Sequence, residues 1–327
     1  MFNDEQFNIK NDRMGDHVRR GNSAAQPAVE SETQWAAEDL DLEAYLDRIG
    51  LPESVAQRPD VDALAHLHRR HIDTFPFENV DHVLGNPVDV SMRGLNEKLV
   101  CRRRGGHCVE LNLLFAAALQ RLGYAVTRRA ARVSVPGRPS ARSHTILYVS
   151  AGDETWLADT AFSPGLLAPV PLRPGAQVEQ SGKTYEVTQD AHGEWALRVV
   201  SPEVRELYRF TDEYLNWFDF DMIATWGAHN PASPISGDLF VARRTENAHL
   251  VLRGRTFTTT DRAGNRSVLD IDAPQLPKLL RAEFGIQLTG AEAATLIERV
   301  LVSENQPNSS HDGSAVQESV KEEISVR

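Results

Sequence analysis

Apolar positions fall at helical spacing through the first third of the chain and alternate through the next. Leu42, Tyr45, Leu46 and Ile49 lie three and four apart ahead of Gly50, which predicts a short helix with a natural stop. Leu64, Leu67 and His71 predict a second helix over residues 61–72. Leu111, Leu114, Phe115, Ala118 and Leu122 form one apolar stripe closed by Gly123, so a third helix is expected there, with Cys108 in its first turn. Strand character begins at Ala125. Residues 145–149 and 155–158 flank Gly152-Asp153, a hairpin signal, and residues 185–188 and 195–200 flank a second turn at 190–193. Proline and glycine mark loops at 164–175 and 230–237, and helical patterns return at 274–283 and 290–302.

These patterns divide the chain into a helical unit (37–125), a β unit (126–225) and a mixed α/β unit (226–302), with no internal repeat. Residues 1–36 and 303–327 are polar and mixed in charge with little apolar periodicity, and both are expected to be disordered.

Composition narrows the class. Of 327 residues, 41% are hydrophobic and 25% charged, which fits a soluble globular protein. The net charge of −11 argues against a nucleic-acid or anionic-membrane partner. The longest aliphatic stretch, 113–119, is too short to cross a bilayer, and the start lacks the basic and apolar regions of a secretory signal. Two cysteines, Cys101 and Cys108, are too few for a disulfide scaffold. Cytoplasmic residence is therefore expected, with both thiols free. Nothing in the pattern specifies an oligomer.

The candidate nucleophile is Cys108. Gly105-Gly106 ahead of it lets the backbone turn sharply and leaves amides open to a docking group. A cysteine in a first helical turn also feels the positive end of the helix dipole, which favours thiolate, and Arg102, Arg103 and Arg104 are expected to strengthen that field. Cys101 lacks this setting and is expected to be inert. A thiolate needs a base and the base an orienting acid. If the hairpin turn places Ala151 opposite Glu154, His144 faces Ala161 and Asp159 becomes its diagonal neighbour on the same face, about 7–8 Å away between backbones. His66, His68 and His71 could suggest a metal, but no acid or cysteine lies at ligand spacing; a solvated helix face is expected and no metal.

The run Arg104-Gly105-Gly106-His107-Cys108-Val109-Glu110-Leu111-Asn112 resembles the signature of the arylamine N-acetyltransferases. Pro76-Phe77-Glu78-Asn79, Ser143-His144-Thr145, Leu157-Ala158-Asp159, Asn216-Trp217, the segment 230–234 and Phe284-Gly285-Ile286 resemble further segments of that family, in order, over residues 39–302. The resemblance implies an α+β multidomain fold: an N-terminal helical bundle, a central antiparallel β-barrel and a C-terminal α/β lid, with a cysteine-protease-like Cys-His-Asp triad. It implies Cys108, His144 and Asp159 as that triad, acetyl-CoA as co-substrate, and an arylamine or hydrazine as acceptor of the acetyl group from a Cys108 thioester. It further implies Phe77 and Phe162 as walls of the acceptor pocket, Ser233 near the coenzyme phosphates, and an Arg104–Glu78 pair supporting the nucleophile loop. Two departures stand out. The run after Asp159 is Thr160-Ala161-Phe162-Ser163, without the family's glycines, and His107 stands where the family often has an aromatic.

Three alternatives share parts of this pattern. Amide synthases that release or cyclise aromatic polyketide thioesters resemble the same family and would use the same triad. Transglutaminase-like and papain-like proteins share the order Cys, His, Asp but without Arg-Gly-Gly before the cysteine. An inactive binding module would leave Cys108 no more reactive toward iodoacetamide than a free thiol.

Overall fold

The computed structural model describes residues 35–305 except 53, 55–58, 164 and 234; most of the two expected disordered ends lies outside the described residues. After a 3-10 turn at Ala37–Asp39 come α1 (Leu42–Ile49) and α2 (Val61–Thr74). Each is started by an aspartate whose carboxylate takes an otherwise orphaned first-turn amide: Asp41 from Ala44 N at 3.0 Å and Asp60 from Ala63 N at 2.8 Å. Then follow β1 (Phe77–Glu78), α3 (Val80–Leu84), α4 (Met92–Leu95), a π-helical turn at Asn96–Cys101, and α5 (Cys108–Arg121). Every residue from Val109 to Leu119 is buried, so α5 is the central rod of its core rather than a helix with one apolar stripe. Trp35 belongs to this core as well, with its ring edge-on to Phe220 at 5.6 Å and the Arg128 guanidinium 4.0 Å over it.

The β unit comprises β2 (Ala125–Val133), β3 (Arg142–Ala151), β4 (Glu154–Ala158), β5 (Val170–Pro171), β6 (Ala176–Gln180), β7 (Lys183–Gln189), β8 (Trp195–Ser201) and β9 (Arg205–Phe210). They form one antiparallel sheet in the order β5-β4-β3-β2-β9-β8-β7-β6, whose end strands meet, so it nearly closes into a barrel. Ile146, Leu157, Tyr185, Leu197 and Tyr208 fill it. In the first hairpin Ala151 pairs with Glu154 and Leu147 with Ala158, the register anticipated from Gly152-Asp153.

Beyond α6 (Trp217–His229), β10 (Phe240–Arg244), β11 (Ala248–Arg253), β12 (Thr256–Asp261) and β13 (Arg266–Asp270) build a second antiparallel sheet, and α7 (Leu276–Phe284) and α8 (Gly290–Asn305) share a core with it. β1 forms the edge of this sheet, with Phe77 opposite Ala242 and Glu78 opposite Val241. A strand from the helical unit therefore fastens the α/β unit beside the nucleophile turn. The fold is α+β, with a helical unit, an antiparallel barrel and a second sheet carrying helices.

Among the described residues, no helix is long and apolar enough to cross a membrane.

Candidate active site

The turn before Cys108 is held by close approach. Neither Gly105 nor Gly106 has positive φ; the left-handed residue nearby is Arg103, at φ 54°. A Cβ on Gly105 would meet the Pro76 carbonyl oxygen at 2.1 Å and Glu78 Cγ at 2.7 Å, and one on Gly106 would meet Glu110 Oε2 at 2.7 Å. Gly106 N donates to Pro76 O at 3.2 Å and Glu78 N to Gly106 O at 3.0 Å, so β1 lies directly against the turn. Gly105 is needed because the Pro76 backbone touches it, and Gly106 because the Glu110 side chain does, which corrects the sharp-turn expectation. The amides are not all open either: Gly106 N serves Pro76 and His107 N donates to Glu110 Oε2 at 3.0 Å. The first-turn amides of Cys108 and Val109 remain without an intrahelical acceptor.

Cys108 Sγ lies 3.5 Å from Ser143 O of β3. His144, next along β3, is buried and places Nε2 2.7 Å from Asp159 Oδ2, so its other nitrogen is left for the sulfur. Burial alone would raise the Cys108 pKa, but hydrogen bonds to His107 and His144 bring it down to about 6. Burial would lower His144; the Asp159 carboxylate outweighs this and lifts it to about 10. Both shifts favour a thiolate beside an imidazolium at neutral pH. Arg102 and Arg104 do not supply that field. Arg104 Nη2 pairs with Glu292 Oε1 at 2.5 Å, and Arg102 Nη2 pairs with the same oxygen at 3.0 Å and with Asp81 Oδ1 at 3.5 Å. The expected Arg104–Glu78 pair does not form. Glu78 gives one oxygen to Val80 N, and Arg104 turns toward α3 and α8. Exposed Cys101 is the opposite case, its thiol pushed up by desolvation and then by Glu97 and Asp41.

Asp159 is fastened by groups that sequence reasoning did not single out. Buried Asn112, one turn along α5 from Cys108, donates to Asp159 Oδ1 at 3.2 Å and to Thr145 O at 2.7 Å, and its carbonyl accepts from Thr160 N at 3.0 Å. One amide thus clamps α5, β3 and the segment after β4. Ala161 N also donates to Asp159 Oδ1, at 3.0 Å. Buried His68 of α2 accepts the Asp159 amide at Nε2, 3.2 Å away, and buried His71 hydrogen-bonds the Tyr45 hydroxyl through Nδ1 at 2.9 Å. The solvated face expected for these histidines is wrong: α2 turns both into the core. Among the described residues no group of three or more metal-ligating side chains forms. The only sequence-level hint of their role was the spacing of His68 and His71 with Leu64 on one helical face.

The buried neutral histidines carry a pH signature. Burial lowers His68 to about 4 and His71 well below its ordinary value. In the unfolded chain both titrate near ~6.5, so between about pH 6.5 and 4 the unfolded state binds the extra protons and stability falls as pH falls, by about 1.4 kcal/mol per pH unit for each fully unprotonated histidine. Urea unfolding at pH 7 and pH 5 is expected to show this decline; equal midpoints at both would refute it.

The other predicted positions are spread around this centre. The Phe162 ring lies 5.1 Å from His144, and both pack on Tyr208, whose ring is 5.2 Å from His144. Phe77 is half-buried in β1, bridged to Gly106, with its ring edge-on to Phe240 at 5.9 Å. Ser233 is buried in the loop after α6, where its hydroxyl accepts from Ile235 N at 3.4 Å, and its hydrogen bonds among the described residues stay within that loop. The segment after Asp159 is tied to the second sheet: Ser163 Oγ meets His249 Nε2 at 2.6 Å, and Arg244 donates to Gly165 O.

The N-acetyltransferase family profile matches residues 60–293. The chain is 34% identical over 257 residues to an arylamine N-acetyltransferase of Mycobacterium tuberculosis, covering 76% of this chain and 90% of that protein. It belongs to the arylamine N-acetyltransferase family. Its fold matches the Nocardia farcinica arylamine N-acetyltransferase with a TM-score of 0.74 at 32% identity, covering 84% of this chain and 97% of that one. The Mycobacterium marinum arylamine N-acetyltransferase, solved in complex with CoA, matches with a TM-score of 0.73 at 31% identity, over 80% of this chain and 99% of that one. As a member of this family the chain is an acyltransferase. Departures from the family pattern, at His107 and in the run after Asp159, fall beside the thiol and beside His144 respectively.

Proposed function

We propose that this arylamine N-acetyltransferase homologue moves an acetyl group from acetyl-CoA to an arylamine or hydrazine through a Cys108 thioester, with Cys108, His144 and Asp159 as its triad. The observation that carries the proposal is the buried imidazole held between a thiol and a carboxylate, with Nε2 2.7 Å from Asp159. The CoA complex of the Mycobacterium marinum relative supports acetyl-CoA as donor.

In the first half-reaction the Cys108 thiolate attacks the thioester carbonyl. As the carbon–sulfur bond to CoA breaks, His144 gives its proton to the leaving thiolate, and acetyl-Cys108 remains. In the second half, the amine nitrogen attacks that thioester, His144 takes the amine proton, and Cys108 leaves as thiolate while the amide departs. The first-turn amide of Cys108 is suited to hold the oxyanion in both halves, an effect worth about 2.7–4 kcal/mol per donor in comparable sites. Exchanging one thioester for another is nearly balanced in energy, so the acyl-enzyme can accumulate, and the lid-like second sheet limits water as the competing acceptor. Phe77 and Phe162 would wall the acceptor and Ser233 would stand near the coenzyme phosphates. A reduced Cys108 is required throughout, which suits cytoplasmic residence.

Intact mass spectrometry after mixing with acetyl-CoA, without acceptor, is expected to show one acetyl group per chain, mapped to the peptide bearing Cys108 and released on adding an arylamine. No acetyl adduct with acetyl-CoA, but capture from an aromatic acyl thioester, would replace this reading with the amide synthase one.

A further inference from the structure

The second sheet ends in an open edge. Its strands run β1-β10-β11-β12-β13, and β13 is paired on one side alone, with β12. All five of its residues, Arg266 to Asp270, are exposed, and they pair with β12 from Thr256–Asp270 to Thr260–Arg266 without a bulge. No proline lies in the strand and its centre is uncharged, so the proline, bulge or central charge that usually blunts an edge is missing. Val268 and Leu269 at that centre are 50% and 55% exposed, on opposite faces of the sheet. Among the described residues no further strand lies on the outer side of β13, which leaves its backbone groups as a template for one. The opposite edge, β1, is two residues long and backs onto the nucleophile turn at Gly106, so β13 is the edge on offer.

We propose that β13 is the docking edge for a second copy of this chain: two copies pair antiparallel through residues 266–270 about a two-fold axis at Val268, joining their five-stranded sheets into one. The order of residues in the strand is complementary to itself. With all five residues paired, Arg266 stands opposite Asp270 of the second copy and Val268 opposite Val268. Arg266, Val268 and Asp270 share one face, so each end of the valine contact carries an arginine–aspartate pair. The two-fold axis makes both charge pairs at once. On the other face the two Leu269 side chains become diagonal neighbours. A slip of two residues either way would put Val268 opposite one of the charges and shorten the pairing to three residues. Full overlap and matched charge therefore select the same register. With a net charge of −11, two copies repel at long range, so a local match of opposite charges is what a self-contact on this protein needs.

The test is sedimentation velocity on the full-length protein over about 5 to 200 µM, which brackets the weak association expected of an interface below the standard size. The mass is expected to rise from one chain toward two with concentration. Asp270→Arg sets like charges across both ends and is expected to weaken association roughly tenfold or more, and adding Arg266→Asp, which restores opposite signs, to recover it within about threefold. Val268→Lys, which puts two cations on the axis, is expected to leave a single chain throughout. All three side chains are exposed, so the fold should hold. A wild type that stays a single chain over the whole range overturns the proposal, as does association that Asp270→Arg leaves unchanged or that the double variant fails to regain. Hydrogen exchange on the wild type needs no variant: amides of residues 266–270 are expected to exchange more slowly as concentration rises. Amides protected at every concentration in a single chain would place another part of the same chain on the edge, and that too overturns it. None of these residues belongs to the acyl-transfer scheme, so acetyl capture reports on that reading separately.

Discussion

Cys108→Ala is expected to reduce acetyl transfer from acetyl-CoA to a simple arylamine by a factor on the order of 10⁴ or more, and to abolish the acetyl adduct altogether. Loss of a covalent nucleophile is not made up by the remaining groups of a triad, which act as a unit. The fold should tolerate the change. Cys108 is only partly buried, and the core on which α5 depends begins at Val109. Matching thermal unfolding of variant and wild type would tie the lost activity to chemistry. A variant that still binds one acetyl group covalently, or retains turnover within tenfold of wild type, would remove Cys108 from the mechanism.

Asp159→Asn is expected to lower kcat/KM by roughly 10³–10⁴, the scale seen when a triad carboxylate is made neutral in place. The carboxylate is what lifts His144 to about 10, and with it gone the imidazolium is no longer favoured beside the thiol. The sign can be followed on the pH profile. In the wild type, activity should rise through about pH 6 as Cys108 becomes thiolate, and fall as His144 loses its proton near about pH 10. In the variant the alkaline limb should move toward neutral pH, because a histidine without that partner gives up its proton earlier. Asn112 Nδ2 and Ala161 N both donate to Asp159 Oδ1, so an asparagine carbonyl can still be oriented there and the loop should stay in place. An unchanged alkaline limb together with wild-type kcat/KM would show that Asp159 does not tune the base.

The hairpin shows how far pattern reasoning reaches. Gly152-Asp153 between two apolar runs specified the turn, and the turn specified the register as far as Leu147 opposite Ala158; Asp159 lies just past the paired residues, where its carboxylate meets His144. The same local logic located Cys108 in a first helical turn. It misjudged Arg102 and Arg104, whose charge looks available along the chain but is spent on Asp81 and on Glu292 of α8. It also misread Gly105-Gly106, where the missing side chains make room for the 76–78 segment and for the Glu110 side chain rather than for a sharp turn. Asn112 looked like part of a signature, and its clamp on Asp159 could not be read because the partners lie 33 and 47 residues away.

Short-range order was written in the chain itself: helix starts and stops, strand alternation, one hairpin register, and the chemical types gathered near the thiol. These follow from periods of two and of three to four residues and from turn chemistry, which neighbours in sequence suffice to set. Folding in three dimensions decided which charges neutralise one another and which histidines lie buried and neutral. Those outcomes depend on burial and on distances of a few ångströms between residues far apart in sequence, and electrostatic energies inside a protein turn on both.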